Sequence, residues 1–145
     1  MAHVGPELTR SGVVLRPGRV LIIDDEVRMA RVLQEALGER HQVVVAKDAL
    51  HALSRLASGE LYDVVLCDIR MPRMDGMGFH RRLRWLLPGE ADRVVFVSGD
   101  YDAPDVLAYF DGLPNLVLQK PIDLAGLEGL VERRIRVEGS RRHTA

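Results

Sequence analysis

The chain is poor in cysteine, lacks any long apolar run and carries no excess of one charge, and each shortage excludes something. A single cysteine, Cys67, in 145 residues rules out an internal disulfide and the common cysteine-rich zinc patterns, which suits a reducing compartment. Cys67 sits inside an apolar run, so its expected state is a buried, inert thiol. No apolar stretch approaches the roughly 18 residues that a membrane helix needs, and no signal-peptide core opens the chain. The expectation is a soluble, cytoplasmic protein with no membrane partner. The balance of 20 Lys+Arg against 21 Asp+Glu gives no overall electrostatic reason to expect nucleic acid. Charge effects must therefore be local.

What is present fits one globular domain. With 47% hydrophobic and 28% charged residues, 145 residues can bury a core but leave no room for a second domain. Residues 1–17 mix Gly, Pro and isolated apolar side chains without a period and are expected to be a tail, as are residues 138–145. Between them, over 18–137, short β-branched runs alternate with longer amphipathic ones. The strand candidates are 20–24, 43–46, 63–68, 94–98 and 116–120, most of them apolar throughout, as in a parallel sheet covered on both faces. Helix candidates lie near 26–38, 49–58, 76–87, 104–111 and 124–137. Asp48 and Asp123 read as N-caps, the first ahead of leucines 50, 53 and 56, and Gly38, Gly59 and Gly112 as C-terminal stops. Arginines 133, 134 and 136 complement the last helix dipole. Five strand–helix pairs with right-handed crossovers give an α/β, doubly wound (βα)5 parallel sheet.

Ligands of such a fold bind beyond the carboxyl ends of the strands. Strand one ends in Asp24 and Asp25, strand three in Asp68, strand four in Ser98 and strand five in Lys120. The run Leu21-Ile22-Ile23-Asp24-Asp25-Glu26 carries three aliphatic residues into three carboxylates, whose repulsion at about 4 Å and a dielectric near 20 is roughly 4 kcal/mol per pair. A cation, a raised pKa or plain solvation must offset it. Asp24, Asp25 and Asp68 together form an oxygen-only set suited to Mg²⁺. Lys120 adds a compact cation and Ser98 a hydroxyl. These are the parts of phosphoryl transfer to an aspartate.

The segments Leu21-Ile22-Ile23-Asp24-Asp25-Glu26, Val64-Val65-Leu66-Cys67-Asp68-Ile69-Arg70-Met71-Pro72-Arg73-Met74-Asp75-Gly76, Val95-Phe96-Val97-Ser98-Gly99 and Gln119-Lys120-Pro121 resemble the receiver domains of two-component response regulators. The resemblance covers about residues 18–137, with its motifs in order on the expected strand ends. It implies a flavodoxin-like sheet with strand order 2-1-3-4-5 and Asp68 as phosphoacceptor. It further implies that Asp25 directly, Asp24 mainly through water, Asp68 and the backbone carbonyl of Arg70 hold Mg²⁺. Ser98 and Lys120 would contact the incoming phosphoryl group, and Lys120-Pro121 would be cis. The phosphodonor would be a histidine kinase or a histidine phosphotransfer protein, and a homodimer through the 104–137 face is a further expectation. Ser98-Gly99-Asp100, Phe110-Asp111-Gly112-Leu113-Pro114 and Lys120-Pro121 resemble receivers of hybrid histidine kinases in particular.

One departure from the family pattern is Val117, where many receivers carry an aromatic residue that changes rotamer on phosphorylation. Arg70 and Asp100 are expected to pair across the mouth of the pocket and limit water access to an acyl phosphate. Glu26 and Asp75-Gly76 read as helix starts rather than ligands. His80 is expected to be an exposed helix residue, and arginines 81, 82, 84, 133, 134, 136, 141 and 142 to lie on solvated faces. No helix-turn-helix follows the domain. The expected role is a regulatory phosphoacceptor without an output domain on this chain, catalysing only its own phosphorylation and autodephosphorylation. It would be a stand-alone regulator, a relay or a piece of a hybrid kinase, with Met1 and the short tails favouring the first. The alternatives are a Mg²⁺-dependent aspartyl phosphatase, which usually has an aspartate where Arg70 stands, and an unphosphorylated interaction domain.

Overall fold

Apolar runs that do not alternate need cover on both sides, and the sheet has it. The computed structural model of the chain describes residues 7–8 and 14–135. Strands β1 (Glu7–Leu8) and β2 (Val14–Leu15) pair antiparallel ahead of the main domain, within the stretch read as a tail. The main sheet contains β3 (Arg19–Ile23), β4 (Gln42–Ala46), β5 (Val64–Asp68), β6 (Val94–Ser98) and β7 (Val117–Gln119). All are parallel in the order β4-β3-β5-β6-β7, which is the expected 2-1-3-4-5 when counted within the sheet.

Alternate residues of each strand supply opposite faces. Leu21, Ile23, Val65, Cys67 and Phe96 pack with α2 (Ala49–Ala57), α3 (Gly76–Leu86) and Val106 of α5 (Pro104–Phe110). Val20, Ile22, Val64, Leu66 and Val95 pack with α1 (Val27–Gly38) and α6 (Leu124–Arg134). The central strands β5 and β6 are buried at every residue. Cys67 is a fully buried thiol whose pKa is pushed up by burial, as its apolar run implies.

Several local expectations hold and others are corrected. The Asp48 carboxylate accepts the His51 N–H and caps α2, and Asp75 accepts from Gly78 N–H to cap α3. Asp123 occupies the N-cap position of α6 without a side-chain capping bond. Gly59 and Gly112 follow their helices with φ of 99° and 78°, the left-handed conformation that glycine adopts without strain. In α2, Ala49, Ala52, Leu53 and Leu56 point inward, while Leu50 is 60% exposed. A one-turn helix, α4 (Pro88–Ala91), lies between α3 and β6 where no element was expected. Arg136, Arg141, Arg142 and the 138–145 tail lie outside the described residues.

The buried Asp63, just before β5, holds the domain's entry segment. Its carboxylate accepts from Arg16 at 2.7 and 3.0 Å and from Arg19 N–H at 2.8 Å. Since Asp63 sits at the amino end of β5, this pairing is structural and lies at the opposite edge from Asp68.

Candidate functional site

Parallel register is what brings the acidic strand ends together. Because β3 pairs with β5 through Ile23 and Cys67, the next residue on each strand, Asp24 and Asp68, emerges at the same edge. One carboxylate oxygen from each of Asp24, Asp25 and Asp68 lies within 4.8 Å of the others. Asp24 and Asp68 are buried and Asp25 is exposed. Beneath Asp24 and Asp68 the lining is apolar, formed by Ile22, Met29, Leu66 and Ile122 around a void of about 10 Å³. Little room remains there for water.

That floor explains the protonation behaviour. Burial pushes the Asp24 carboxyl up to about 6, opposed by the Glu26 N–H, which it accepts at 2.9 Å, and reinforced by the charge of Asp68. Asp68 is also raised, again chiefly by burial, with Lys120 pulling it back. The Lys120 ammonium stands 3.3 Å from Asp68 Oδ1. Three carboxylates facing one ammonium leave a surplus of negative charge on an all-oxygen donor set, which fits a hard divalent cation. Glu26, by contrast, is the exposed N-cap residue of α1 and does not join the cluster.

Ser98 closes β6 and is fully buried. Its hydroxyl donates to Asp100 Oδ1 at 2.6 Å, and Asp100 N–H returns a bond to Ser98 Oγ at 3.2 Å. The expected Arg70–Asp100 pair is present at 2.8 Å, but Arg70 also reaches Asp105 in the first turn of α5, at 2.9 Å. The guanidinium thus joins the loop after β5 to two carboxylates on either side of the α5 N-terminus. Arg70 holds both the Asp100 and Asp105 carboxyls below the ordinary range, with Ser98 adding to the effect on Asp100. Sequence reading missed Asp105, although a first-turn acid after Pro104 was visible.

The loop carrying Arg70 is held tightly. Gly76 N–H donates to Ile69 O at 2.8 Å, and a Cβ at Gly76 would stand 2.7 Å from Asp68 O and 2.9 Å from Ile69 Cα. Only glycine lets α3 start this close to the Asp68 backbone. Arg73 in the same loop has φ of 67°, a left-handed conformation uncommon for arginine. On the other side, Lys120 N–H donates to Ser98 O at 2.9 Å, and Lys120-Pro121 is cis as expected.

His80 overturns its expectation. It is fully buried, edge-on to Phe96 at 5.5 Å, and its Nδ1 lies 2.8 Å from the Tyr109 hydroxyl of α5. Burial lowers its pKa, with Arg84 adding to the effect. The helical phase of α3 turns His80 and Leu83 inward and leaves Arg81, Arg82 and Arg84 at the surface. Beside Val117, which is not aromatic, an aromatic cluster of Phe96, Tyr109 and Phe110 fills the space between β6 and α5, with His80 at its centre.

The fold and pocket define a doubly wound α/β domain with an acidic cluster at its strand ends. Residues 20–132 match the family described as response regulator receiver domain, and the chain belongs to that family. It is 35% identical over 91 residues to a hydrogenase transcriptional regulatory protein, HoxA, of Bradyrhizobium diazoefficiens, covering 63% of this chain and 18% of that protein. It is 29% identical over 125 residues to hybrid signal transduction histidine kinase L of Dictyostelium discoideum, covering 80% of this chain and 7% of the kinase. The chain therefore spans under a fifth of the length of either relative. Among solved structures, a response regulator receiver domain protein of Clostridium thermocellum superposes with a TM-score of 0.69 at 26% identity, over 81% of this chain and 94% of that one. No helix among the described residues is long and apolar enough to cross a membrane.

Proposed function

We propose that the domain over residues 18–137 accepts a phosphoryl group on Asp68 from the phosphohistidine of a histidine kinase or histidine phosphotransfer protein, in a Mg²⁺-dependent reaction that switches partner binding. The observation that carries this reading is the Asp68 carboxylate, buried beside Asp24 and Asp25 with Lys120 at 3.3 Å. An Asp68 oxygen attacks phosphorus, the phosphorus–nitrogen bond breaks, and its electron pair returns to the donor imidazole, leaving an acyl phosphate. Asp24, Asp25, Asp68 and the Arg70 backbone carbonyl would hold the metal. Bound Mg²⁺ supplies neutralisation of charge on the phosphoryl oxygens.

The chain's own residues supply the rest. Lys120 moves from pairing a carboxylate to pairing a phosphoryl oxygen. The Ser98 hydroxyl has one proton to donate, and it is committed to Asp100 at 2.6 Å. Contact with the phosphoryl group therefore requires Ser98 to release Asp100, which links phosphorylation to the Arg70 clamp and to α5. With Val117 in place of an aromatic rotor, this exchange is the switch we favour.

On this reading the protein is a cytoplasmic regulatory phosphoacceptor that catalyses only its own phosphorylation and autodephosphorylation. Exposed Leu107, Leu116 and Leu124 support a homodimer through the 104–137 face, to be checked by light scattering across a concentration series. The reading itself is tested by incubation with acetyl phosphate and Mg²⁺ followed by intact-mass measurement. One phosphoryl adduct, absent without Mg²⁺ and absent in Asp68→Asn, is expected. No adduct, or one that survives Asp68→Asn, refutes it.

A further inference from the structure

Trp85, the chain's single tryptophan, is 86% exposed on α3. An indole carries a large apolar surface, and tryptophan is among the side chains most enriched where proteins bind one another. It does not stand alone. Gly78, Arg81, Arg82 and Trp85 follow one another at helical spacings of three, four and seven, so they share one face of α3, and with Met74 they line an open groove of about 490 Å³. Gly78 forms part of the lining without a side chain, and Met74 supplies an adaptable apolar surface. Trp85 stands as an aromatic wall.

The charge of the groove is one-sided. Neither Arg81 nor Arg82 forms an ion pair with a described carboxylate. Arg81 is nonetheless ordered, because its guanidinium lies 5.1 Å from the Tyr109 ring centroid, and Tyr109 is fixed in turn by His80. A guanidinium held in this way matches a carboxylate in a fork geometry, and Arg82 adds a second cation on the same helix face.

From this we propose that the α3 groove is a docking site for a protein segment that carries acidic residues beside an aromatic or large aliphatic anchor. The anchor packs on Trp85 and Met74, and the acidic residues pair with Arg81 and Arg82. Charge complementarity selects this occupant over the others. A second copy meeting α3 face to face would set its arginines against these two. Nucleic acid would need an extended basic surface, whereas the chain as a whole has a net charge of −1. The site lies on α3, apart from the carboxylate pocket, and its occupancy does not depend on the phosphoryl-transfer reading.

The test uses the full chain as bait in display selection from a random octapeptide library. The strongest peptide is then titrated while the emission of the single tryptophan is followed. Enrichment of peptides combining Asp or Glu with an aromatic or aliphatic residue is expected, with a change in Trp85 emission on binding. Affinity should fall at least tenfold in Arg81→Glu/Arg82→Glu and in a peptide whose acids are replaced by amides, and salt should weaken binding. Trp85→Ala should also lose binding, read by calorimetry. All three side chains are exposed, so far-ultraviolet circular dichroism should confirm unchanged folding. Failure to enrich peptides above the level seen with the Arg81→Glu/Arg82→Glu bait overturns the proposal. So does binding that is indifferent to peptide charge, or a Trp85 response confined to phosphatidylserine vesicles or to an RNA oligonucleotide.

Discussion

The Lys120 ammonium lies 3.3 Å from Asp68 Oδ1 across an edge where three carboxylates converge. It therefore both steadies the proposed acceptor and repels any metal that the three carboxylates would bind. Lys120→Met should separate the two effects. Mg²⁺ should bind at least as tightly, because a competing cation has gone, while the rate of phosphorylation by acetyl phosphate should fall by about 10²- to 10³-fold, the typical loss for one electrostatic donor. A titration of Mg²⁺ and a mass-resolved time course measure them independently. Unchanged phosphorylation would remove Lys120 from the reaction.

Asp24 is held at a cost that the metal-free protein bears. Its carboxyl is pushed up to about 6 in the folded chain against 3.8 when unfolded, so the folded state binds the proton more tightly. The associated stability is full below about 3.8 and is lost as the pH rises through about 6. Asp24→Asn, which keeps the acceptor for the Glu26 N–H, should stabilise the metal-free protein at pH 7 by about 1 to 3 kcal/mol, with the gain vanishing near pH 4. It should also weaken Mg²⁺ binding. Urea melts at the two pH values check the sign, and a variant that is less stable at pH 7 would contradict the burial argument.

The Arg70 clamp should act as a unit. Removing Arg70 breaks both pairs that join the loop after β5 to the start of α5, and removing Asp100 or Asp105 breaks one of them. If the clamp limits water access to an acyl phosphate, Arg70→Ala and Asp100→Ala should each speed dephosphorylation, and the double variant should be no faster than the quicker single one. Asp105→Asn should have a smaller effect in the same direction, since Asp100 remains bonded. Phosphate release after a desalting step gives the rates, and additive effects would sink the idea.

Gly76 offers a test of packing. A Cβ there would meet the Asp68 carbonyl oxygen at 2.7 Å, backbone against backbone, with no flexible end to yield. Gly76→Ala should cost about 1 to 3 kcal/mol in urea unfolding and slow phosphorylation by displacing Asp68. A fully stable variant would mean that the loop relaxes without strain.

Tyr109→Phe should expose the cost of an unpartnered imidazole. The Nδ1 of the fully buried His80 ring would lose its Tyr109 hydroxyl partner, at about 1 to 3 kcal/mol. Because burial lowers the folded pKa of His80 below its unfolded 6.5, the wild-type contribution is present above about 6.5 and falls away in acid. Thermal unfolding at pH 8 should show the loss, and an unchanged midpoint would deny the bond a structural role.

The sequence by itself determined the sheet and the composition of its edge. Apolar runs such as residues 20–23 and 64–67 can be satisfied only by cover on both faces, and right-handed crossovers then bring their polar ends, Asp24 and Asp68, to one side. Ser98 and Lys120 were placed for the same reason. Only the tertiary structure decided what turns on helical phase and on side-chain reach. His80 among arginines reads as surface, yet the docking of α3 on β6 and α5 makes it the buried partner of Tyr109. The phase of α2 was likewise set by its docking, which buries Ala49, Ala52, Leu53 and Leu56 and leaves Leu50 exposed. The bidentate reach of Arg70 to Asp100 and Asp105 depends on where α5 begins in space, which strand propensity does not encode. A strand's period of two allows only two faces and one exit, whereas a helix packed by several neighbours takes its orientation from all of them.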